Sequence, residues 1–189
     1  MKGCFVGSGS EGLGQPEICE AIISLTGKEA KEVTILYIGT ATYDLPGPKY
    51  NQTIRFVEAG CTVNELKCVH DNDSVTPSEM IRLCESADVI IASGGNTLYA
   101  MDKWRSIGLV KLLRAAADGG AVLAGGSAGA ICWFDGGHSD SADPDSYKDA
   151  MIAAETTPGA DEASAAPGTA EEVKNWEYIR VPCLGFFPG

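Results

Sequence analysis

Short apolar runs alternate along this chain with amphipathic stretches of helical length. Five of the runs predict β-strands, at residues 4–7, 33–39, 61–66, 89–92 and 121–124. The stretches between them predict α-helices at residues 16–25, 50–59, 78–86, 97–105 and 109–117. In the last helix, apolar side chains recur every three or four residues, which gives the helix one face to bury. Regular alternation of strand and helix predicts an α/β fold.

Two of the strands are apolar at almost every position. Thr34-Ile35-Leu36-Tyr37-Ile38 and Val89-Ile90-Ile91-Ala92 lack the polar alternation of a strand with one wet face. Such runs are typical of parallel strands covered by helices on both sides. We therefore expect a three-layer α/β/α sandwich with a mostly parallel, doubly wound sheet, and a site at the carboxyl ends of its strands.

Composition narrows the class of protein. The 189 residues, 44% of them hydrophobic, are enough for a single domain with one core. No run approaches the roughly 18 apolar residues of a membrane helix, and no signal peptide precedes the first strand. A net charge of −12 disfavours a nucleic-acid partner or an anionic membrane surface.

Seven cysteines are scattered along the chain without the close spacing of a zinc site. We expect reduced, buried thiols in a cytoplasmic protein that needs no metal and no cofactor. Residues 143–173 differ in composition from the rest of the chain, because prolines and glycines there interrupt alanines and acidic residues. This segment predicts a flexible acidic insert, with a marginal helix at residues 147–154.

The sharpest chemical signal is Gly125-Gly126-Ser127-Ala128-Gly129, which follows the strand at residues 121–124. A strand that enters Gly-x-Ser-x-Gly and leaves as a helix lifts the serine hydroxyl above the sheet edge as a nucleophile. The amide of Ala128, at the start of the next helix, can donate to an oxyanion with help from the helix dipole. The plainer alternative is a glycine-rich turn whose serine only caps a helix.

A second turn, Ser93-Gly94-Gly95-Asn96-Thr97, also follows a buried strand and precedes a helix. Its two glycines can turn backbone N–H groups outward and provide the other half of an oxyanion pocket. Taken by itself, this turn is better interpreted as an ordinary strand-to-helix turn in which Asn96 or Thr97 caps the helix. Together with the serine turn it predicts a site for acyl transfer.

A third stretch, Phe134-Asp135-Gly136-Gly137-His138-Ser139-Asp140-Ser141, follows the serine turn and is expected to be a loop. Asp140 could orient a histidine, with Asp143 as a rival for that role. His138 could act as a base, although a histidine beside glycines is more often a hydrogen-bonded structural residue. We expect His70 to be a surface loop residue, and Trp133 and Tyr147 to be packing residues.

Together these motifs, with Ile131-Cys132-Trp133-Phe134, resemble the peptidase E (aspartyl dipeptidase) family. The segments Trp176-Glu177-Tyr178-Ile179-Arg180-Val181 and Leu184-Gly185-Phe186 are similar to its bacterial members. The resemblance implies the class I glutamine amidotransferase-like sandwich, with serine in place of cysteine. It also implies Ser127 and Asp140 as catalytic residues, and a site for substrate and oxyanion formed by Gly94, Gly95, Asn96 and Ala128.

The resemblance also sets expectations about what the chain lacks. In the family, a segment like residues 184–189 is soon followed by the catalytic histidine, whereas this chain stops at Gly189. We therefore expect an incomplete domain over residues 1–189, without the C-terminal elements of the family. A missing final strand would leave an apolar sheet edge exposed, which predicts a homodimer.

Three functions follow from these observations. The leading one is a serine peptidase that cleaves small peptides, chiefly dipeptides with an N-terminal aspartate, through an acyl-enzyme at Ser127. The second is a pseudoenzyme or interaction protein that keeps the fold without a base. The third and weaker one is a peptidase of the cyanophycin-degrading type.

Overall fold

The computed structural model describes residues 1–70, 74–142 and 178–188. The predicted acidic insert at residues 143–173 and the helix at 147–154 lie outside these ranges. So do Asp143, Tyr147 and Trp176, whose predicted roles therefore stay predictions.

The described chain alternates strands and helices from its first residues. The strands are β1 (Lys2–Val6), β2 (Thr34–Ile38), β3 (Thr62–Leu66), β4 (Val89–Ala92), β5 (Val122–Gly126), β6 (Gly136–Ser139) and β7 (Ile179–Pro182). The helices are α1 (Ser10–Leu13), α2 (Pro16–Thr26), α3 (Pro46–Glu58), α4 (Pro77–Glu85), α5 (Thr97–Ser106), α6 (Leu109–Asp118) and α7 (Ala128–Ile131). Short 3₁₀ turns lie at Ala30–Glu32 and Thr40–Thr42. The predicted strands and long helices are confirmed, with shifts of a few residues at their ends.

The first five strands form one parallel sheet in the order β1-β5-β4-β2-β3. In register, Ile38 lies opposite Ala92, and Ala92 lies opposite Gly125, while Val6 pairs with Gly126. The carboxyl ends of four neighbouring strands therefore meet at one edge. The turns that follow β1, β2, β4 and β5 are brought together there.

Helices cover both faces of this sheet, as the apolar runs predicted. Alternate residues of each inner strand enter opposite cores: Leu36 and Ile90 pack toward α4, α5 and α6, whereas Ile35 and Ile91 pack toward α1, α2 and α3. The three-layer α/β/α sandwich with a parallel sheet is confirmed.

Local sequence explains where several helices begin and end. Thr76 caps α4 by accepting a hydrogen bond from the Glu79 amide at 3.3 Å, and Pro77 follows at the first helical position. Gly27 closes α2 in the left-handed conformation. Helix α6 ends at its C-cap Gly119, which is right-handed, and Gly120 follows with φ of +108°.

The expectation of a loop across residues 134–141 is wrong in part. Residues Gly136–Ser139 form β6, which pairs antiparallel with β7 and places His138 opposite Arg180. The pairing partner lies about 40 residues away along the chain, so local sequence gave no signal for it. His138 is an exposed strand residue, and His70 is exposed as expected.

One edge of the main sheet carries an aromatic cluster. Phe5 on β1 lies edge-on to Phe134 and Phe187, with ring centroids 5.1 and 5.2 Å away. These contacts tie residues 183–187 to the first strand. The predicted homodimer through a sheet edge stays a prediction.

The seven cysteines are all free thiols, five of them buried and two half-buried. Burial raises the pKa of Cys68 and Cys84 to about 11, which keeps these thiols protonated and unreactive at neutral pH. Across the described ranges no group of histidine, cysteine and acidic side chains could hold a metal ion. None of the described helices is long and apolar enough to cross a membrane.

Candidate active site

The serine turn has the geometry of a nucleophile elbow. Strand β5 ends at Gly126, α7 begins at Ala128, and Ser127 between them has φ of +53° and ψ of −123°. For a residue with a Cβ atom this backbone conformation is strained. Ser127 is nevertheless solvent-exposed, between buried Gly126 and buried Ala128. The turn therefore presents one hydroxyl at the carboxyl edge of the sheet.

Close backbone packing holds the elbow in this conformation. A Cβ atom on Gly129 would lie 2.0 Å from the Ala92 carbonyl oxygen, and one on Gly125 would lie 2.2 Å from the Gly129 oxygen. One on Gly126 would meet the Ser8 oxygen at 2.1 Å. These three positions accept only glycine, because neighbouring main chain already occupies the space.

Side chains beneath the turn complete this support. Trp133 is fully buried, and its Nε1 donates to the Ala124 oxygen of β5 at 3.2 Å. The Ser127 amide donates to Val6 at 3.1 Å, and its own carbonyl oxygen accepts from Ala130 and Ile131. The strained residue is thus fixed through its backbone while its side chain stays free. Trp133 is the packing residue that the sequence predicted.

The second glycine turn lies beside the elbow. A Cβ atom on Gly94 would be 3.6 Å from the Cβ of Ser127, so the two turns are in van der Waals contact. Gly95 has φ of +118°, and the Asn96 amide donates to the Ala41 oxygen at 2.8 Å. The Gly95 N–H makes no hydrogen bond among the described residues.

Asn96 serves the helix start. Its side chain is 1% exposed, and Oδ1 accepts from the Tyr99 amide at 2.9 Å, which makes Asn96 the N-cap of α5. Its Nδ2 is buried and has no hydrogen-bond partner among the described residues. A binding role for Asn96 stays a prediction, whereas its capping role is now visible.

A turn after β2 packs against Gly95 and forms another wall. Tyr43 and Asp44 both lie in the left-handed region there, with φ of +56° and +58°. The buried Asp44 carboxylate accepts from the Cys68 and Val69 amides, both at 2.8 Å. Burial raises the pKa of Asp44, although these two hydrogen bonds oppose the shift.

These turns enclose a cleft of about 320 Å³ with Ser127 in its wall. Besides Gly94 and Gly95, it is lined by Thr42, Pro48, Gln52 and the loop that follows β1, namely Gly7, Ser8, Gly9 and Ser10. Gln52 and this loop were not predicted to belong to the site. The glycines after the first strand were a usable signal, because the first strand ends at the same sheet edge.

The predicted acid, Asp140, belongs to a segment that is hydrogen-bonded to the start of α5. Ser139 and Ser141 are buried, and their hydroxyl groups are 2.6 Å apart. The Thr97 amide donates to Ser141 Oγ at 2.9 Å, which ties the end of β6 to the start of α5. Asp140, between the two serines, is exposed. The hydrogen bond to Ser141 therefore attaches the segment that contains Asp140 to Thr97, the last residue of the second glycine turn.

The chemistry available in the described cleft is that of a hydroxyl and backbone amides. The Ala128 N–H, like that of Gly95, donates no hydrogen bond to any described residue. Helix α7 has only four residues, so the expected dipole contribution is small and the local amide is what the turn offers. Within the described ranges neither His138 nor any carboxylate lines the cleft.

Comparison with known proteins decides the family. The model of Peptidase family S51 matches residues 5–156. The chain belongs to this family. Uncharacterized peptidase YgaJ of Bacillus subtilis (strain 168), a relative of this S51 chain, is 37% identical over 123 residues, which are 64% of this chain and 50% of that protein.

A second relative has a different kind of name. G2/mitotic-specific cyclin-1 of Trypanosoma brucei brucei is 31% identical over 208 residues, covering all of this chain and 59% of that protein. The chain thus spans about half to three-fifths of the length of these two relatives. The cyclin name describes the trypanosome protein, and no activity of this chain is inferred from it.

Two solved structures share the fold. A candidate peptidase E protein from Listeria monocytogenes EGD-e has a TM-score of 0.59 at 16% identity, covering 97% of this chain and 73% of that one. A peptidase from an acI-B1 Actinobacterium has a TM-score of 0.58 at 23% identity, covering 72% and 57%. The peptidase E resemblance is confirmed at the level of family and fold.

Proposed function

We propose that this protein is a serine peptidase that cleaves small peptides through an acyl-enzyme at Ser127. The observation that carries the proposal is the exposed Ser127 on a strained elbow, in a cleft that Gly95 also lines, with the unpaired Ala128 amide next to Ser127 in the chain. Strain at a single exposed serine is typical of sites where the backbone is held for chemistry rather than for stability.

The mechanism follows from this arrangement. Ser127 Oγ attacks the carbonyl carbon of the scissile peptide bond while its proton passes to a base. The carbonyl oxygen becomes an oxyanion that accepts hydrogen bonds from the amides of Gly95 and Ala128. The C–N bond then breaks, and the proton goes to the leaving amine. Water attacks the acyl ester, which releases the acid and restores the hydroxyl.

The base and its acidic partner belong to the proposal as well. A serine hydroxyl needs a base to be an effective nucleophile at neutral pH. The peptidase E resemblance implies a histidine as this base, oriented by an acid for which Asp140 and Asp143 are the candidates. Asp140 is favoured because Ser141 anchors its segment to the start of α5.

The cleft supports a small substrate. Its volume of about 320 Å³ is at the lower end of the range for small-molecule sites. The described lining is neutral and rich in hydroxyl and amide groups, which suits a short peptide backbone. The family resemblance adds the preference for an N-terminal aspartate, and the free thiols favour a cytoplasmic location.

The test uses the protein expressed from its complete reading frame and a panel of dipeptides. We expect Asp-Xaa dipeptides to be hydrolysed faster than Ala-Xaa or Lys-Xaa dipeptides. Ser127→Ala should lower kcat by about 10⁴- to 10⁶-fold. Ser10→Ala, which removes another hydroxyl from the same cleft wall, provides a comparison for small changes in shape.

Two alternatives are outcomes of the same experiment. A folded protein that hydrolyses none of these peptides would favour a pseudoenzyme or interaction protein, a function supported by the absence of a histidine from the described cleft lining. Preferential hydrolysis of β-linked Asp-Arg would instead favour a peptidase of the cyanophycin-degrading type.

A further inference from the structure

A buried amide side chain lies at the junction of three segments around the nucleophile. Gln52 belongs to α3 and is 3% exposed, yet it lines the same cleft as Ser127. Its Oε1 accepts a hydrogen bond from the Gly94 amide at 3.4 Å. Helix α3 thereby contacts the second glycine turn through a side chain.

The same side chain also contacts the loop after β1. A Cβ atom on Gly9 would lie 3.2 Å from Gln52 Nε2 and 3.4 Å from the Cα of Gly94. One on Gly94 would lie 3.2 Å from the Gly126 carbonyl oxygen. Gln52, Gly9, Gly94 and Gly126 are therefore closely packed, and an added methyl group on Gly9 or Gly94 would require its neighbours to shift by a few tenths of an ångström.

We infer that Gln52 is a positioning residue for the oxyanion turn, an inference that rests on the proposed function of Ser127. By accepting the Gly94 N–H, Gln52 fixes the plane of the Gly94 peptide. With that plane fixed, the Gly95 N–H, which has no partner among the described residues, is held beside the cleft that Gly95 lines. The oxyanion donors are Gly95 and Ala128, and Gly94 is a structural donor.

Two features make this role physically necessary. Gly95 with φ of +118° has access to many backbone conformations, so the turn needs an external contact to hold one of them. An amide that is rotated by a few tens of degrees loses most of its hydrogen bond to an oxyanion. The Gly94 N–H is held from one side by a buried side chain, which supplies that contact.

The test replaces Gln52 by Met, which has a similar volume and no amide oxygen. In the protein from the complete reading frame, we expect Gln52→Met to lower kcat for the best dipeptide about five- to tenfold. KM should change less than twofold, because the cleft keeps its shape. Hydrogen exchange at the Gly94 amide, followed by NMR, should become faster by a similar factor.

Two comparison variants separate positioning from general destabilisation. Thr53→Val changes the next residue of α3, whose hydroxyl donates to Lys49 within the helix and lies outside the cleft lining. It should leave kcat and Gly94 exchange unchanged. Gln52→Glu keeps the acceptor and should keep the Gly94 amide protected, while its negative charge lowers kcat beside the oxyanion.

Several outcomes would overturn the inference. Unchanged kcat and unchanged Gly94 exchange in Gln52→Met would show that the contact positions nothing. A higher kcat in that variant would mean that Gly94 is itself an oxyanion donor, blocked by Gln52. If the wild-type protein is inactive but Gly94 exchange rises in Gln52→Met, the proposed function of Ser127 fails and the role of Gln52 in holding the turn is supported.

Discussion

The two glycine turns at the carboxyl edge of the sheet have the same order of strand, turn and helix, but they differ in the residue at the helix start. Each continues a buried strand, has two consecutive glycines before the helix start and leads into a helix. The elbow places an exposed serine with φ of +53° at the helix start and has no side-chain cap. The second turn places the buried Asn96 there, with its side chain capping α5.

The difference shows how a site divides its tasks. At the elbow the backbone is strained and tightly enclosed so that one side chain can project. At the second turn the side chains hold the helix and the neighbouring segments, so that a backbone amide can project. The proposed nucleophile Ser127 and the proposed oxyanion donor Gly95 thus follow adjacent strands, β5 and β4, whose relative position is set by the sheet.

The largest loss of stability is expected from a substitution that disrupts the close backbone packing around the elbow. Gly129→Ala places a Cβ atom 2.0 Å from the Ala92 oxygen, and main chain cannot move aside cheaply. We expect a loss of about 3 kcal/mol in the free energy of unfolding, measured by urea denaturation. Gly7→Ala, where the added Cβ meets nothing within 4 Å, should change it by less than about 0.5 kcal/mol.

The next prediction tests the capping role of the second turn. Asn96→Ala removes the acceptor for the Tyr99 amide and should cost about 1 kcal/mol. Thr76→Ala removes the equivalent cap of α4, away from the site, and should cost about the same. Only Asn96→Ala should also slow acylation by a fluorophosphonate. An equal acylation rate in both variants would contradict the link between cap and site.

A prediction of similar size tests the strain at Ser127. Glycine adopts positive φ without steric cost, whereas alanine keeps the strained Cβ. Ser127→Gly should therefore be about 1 kcal/mol more stable than Ser127→Ala by urea denaturation. Equal stabilities would show that the backbone at this position stores no strain.

The last prediction concerns the turn that packs against Gly95. Because burial raises the pKa of Asp44, the folded chain binds a proton there more readily than the unfolded chain. The stabilising contribution is therefore complete below the unfolded pKa of about 3.9 and is lost as pH rises through the higher folded pKa. Asp44→Asn has no titrating group at this position and should not show this loss. The free energy of unfolding of the variant minus that of wild type, measured by urea titration, should therefore increase from pH 4 to pH 7. A constant difference would contradict the assignment.

Sequence reasoning succeeded where the signal was local. The continuous apolar runs around Ile35 and Ile90 identified buried parallel strands, and the glycines flanking Ser127 identified the elbow. The pairing of β6 with β7, the contact of Gln52 with Gly94 and the position of the Gly9 loop were missed. Each of these joins residues about 40 or more positions apart, so no short pattern encodes them.

The most direct test of the central claim is to locate the reactive hydroxyl. The protein from the complete reading frame is treated with a fluorophosphonate, and the adduct is mapped by peptide mass spectrometry. Ser8 and Ser10 lie in the same cleft and serve as internal controls. We predict one adduct, on Ser127, that is absent in Ser127→Ala. An adduct on Ser8 or Ser10, or no adduct on a folded protein, would contradict the account.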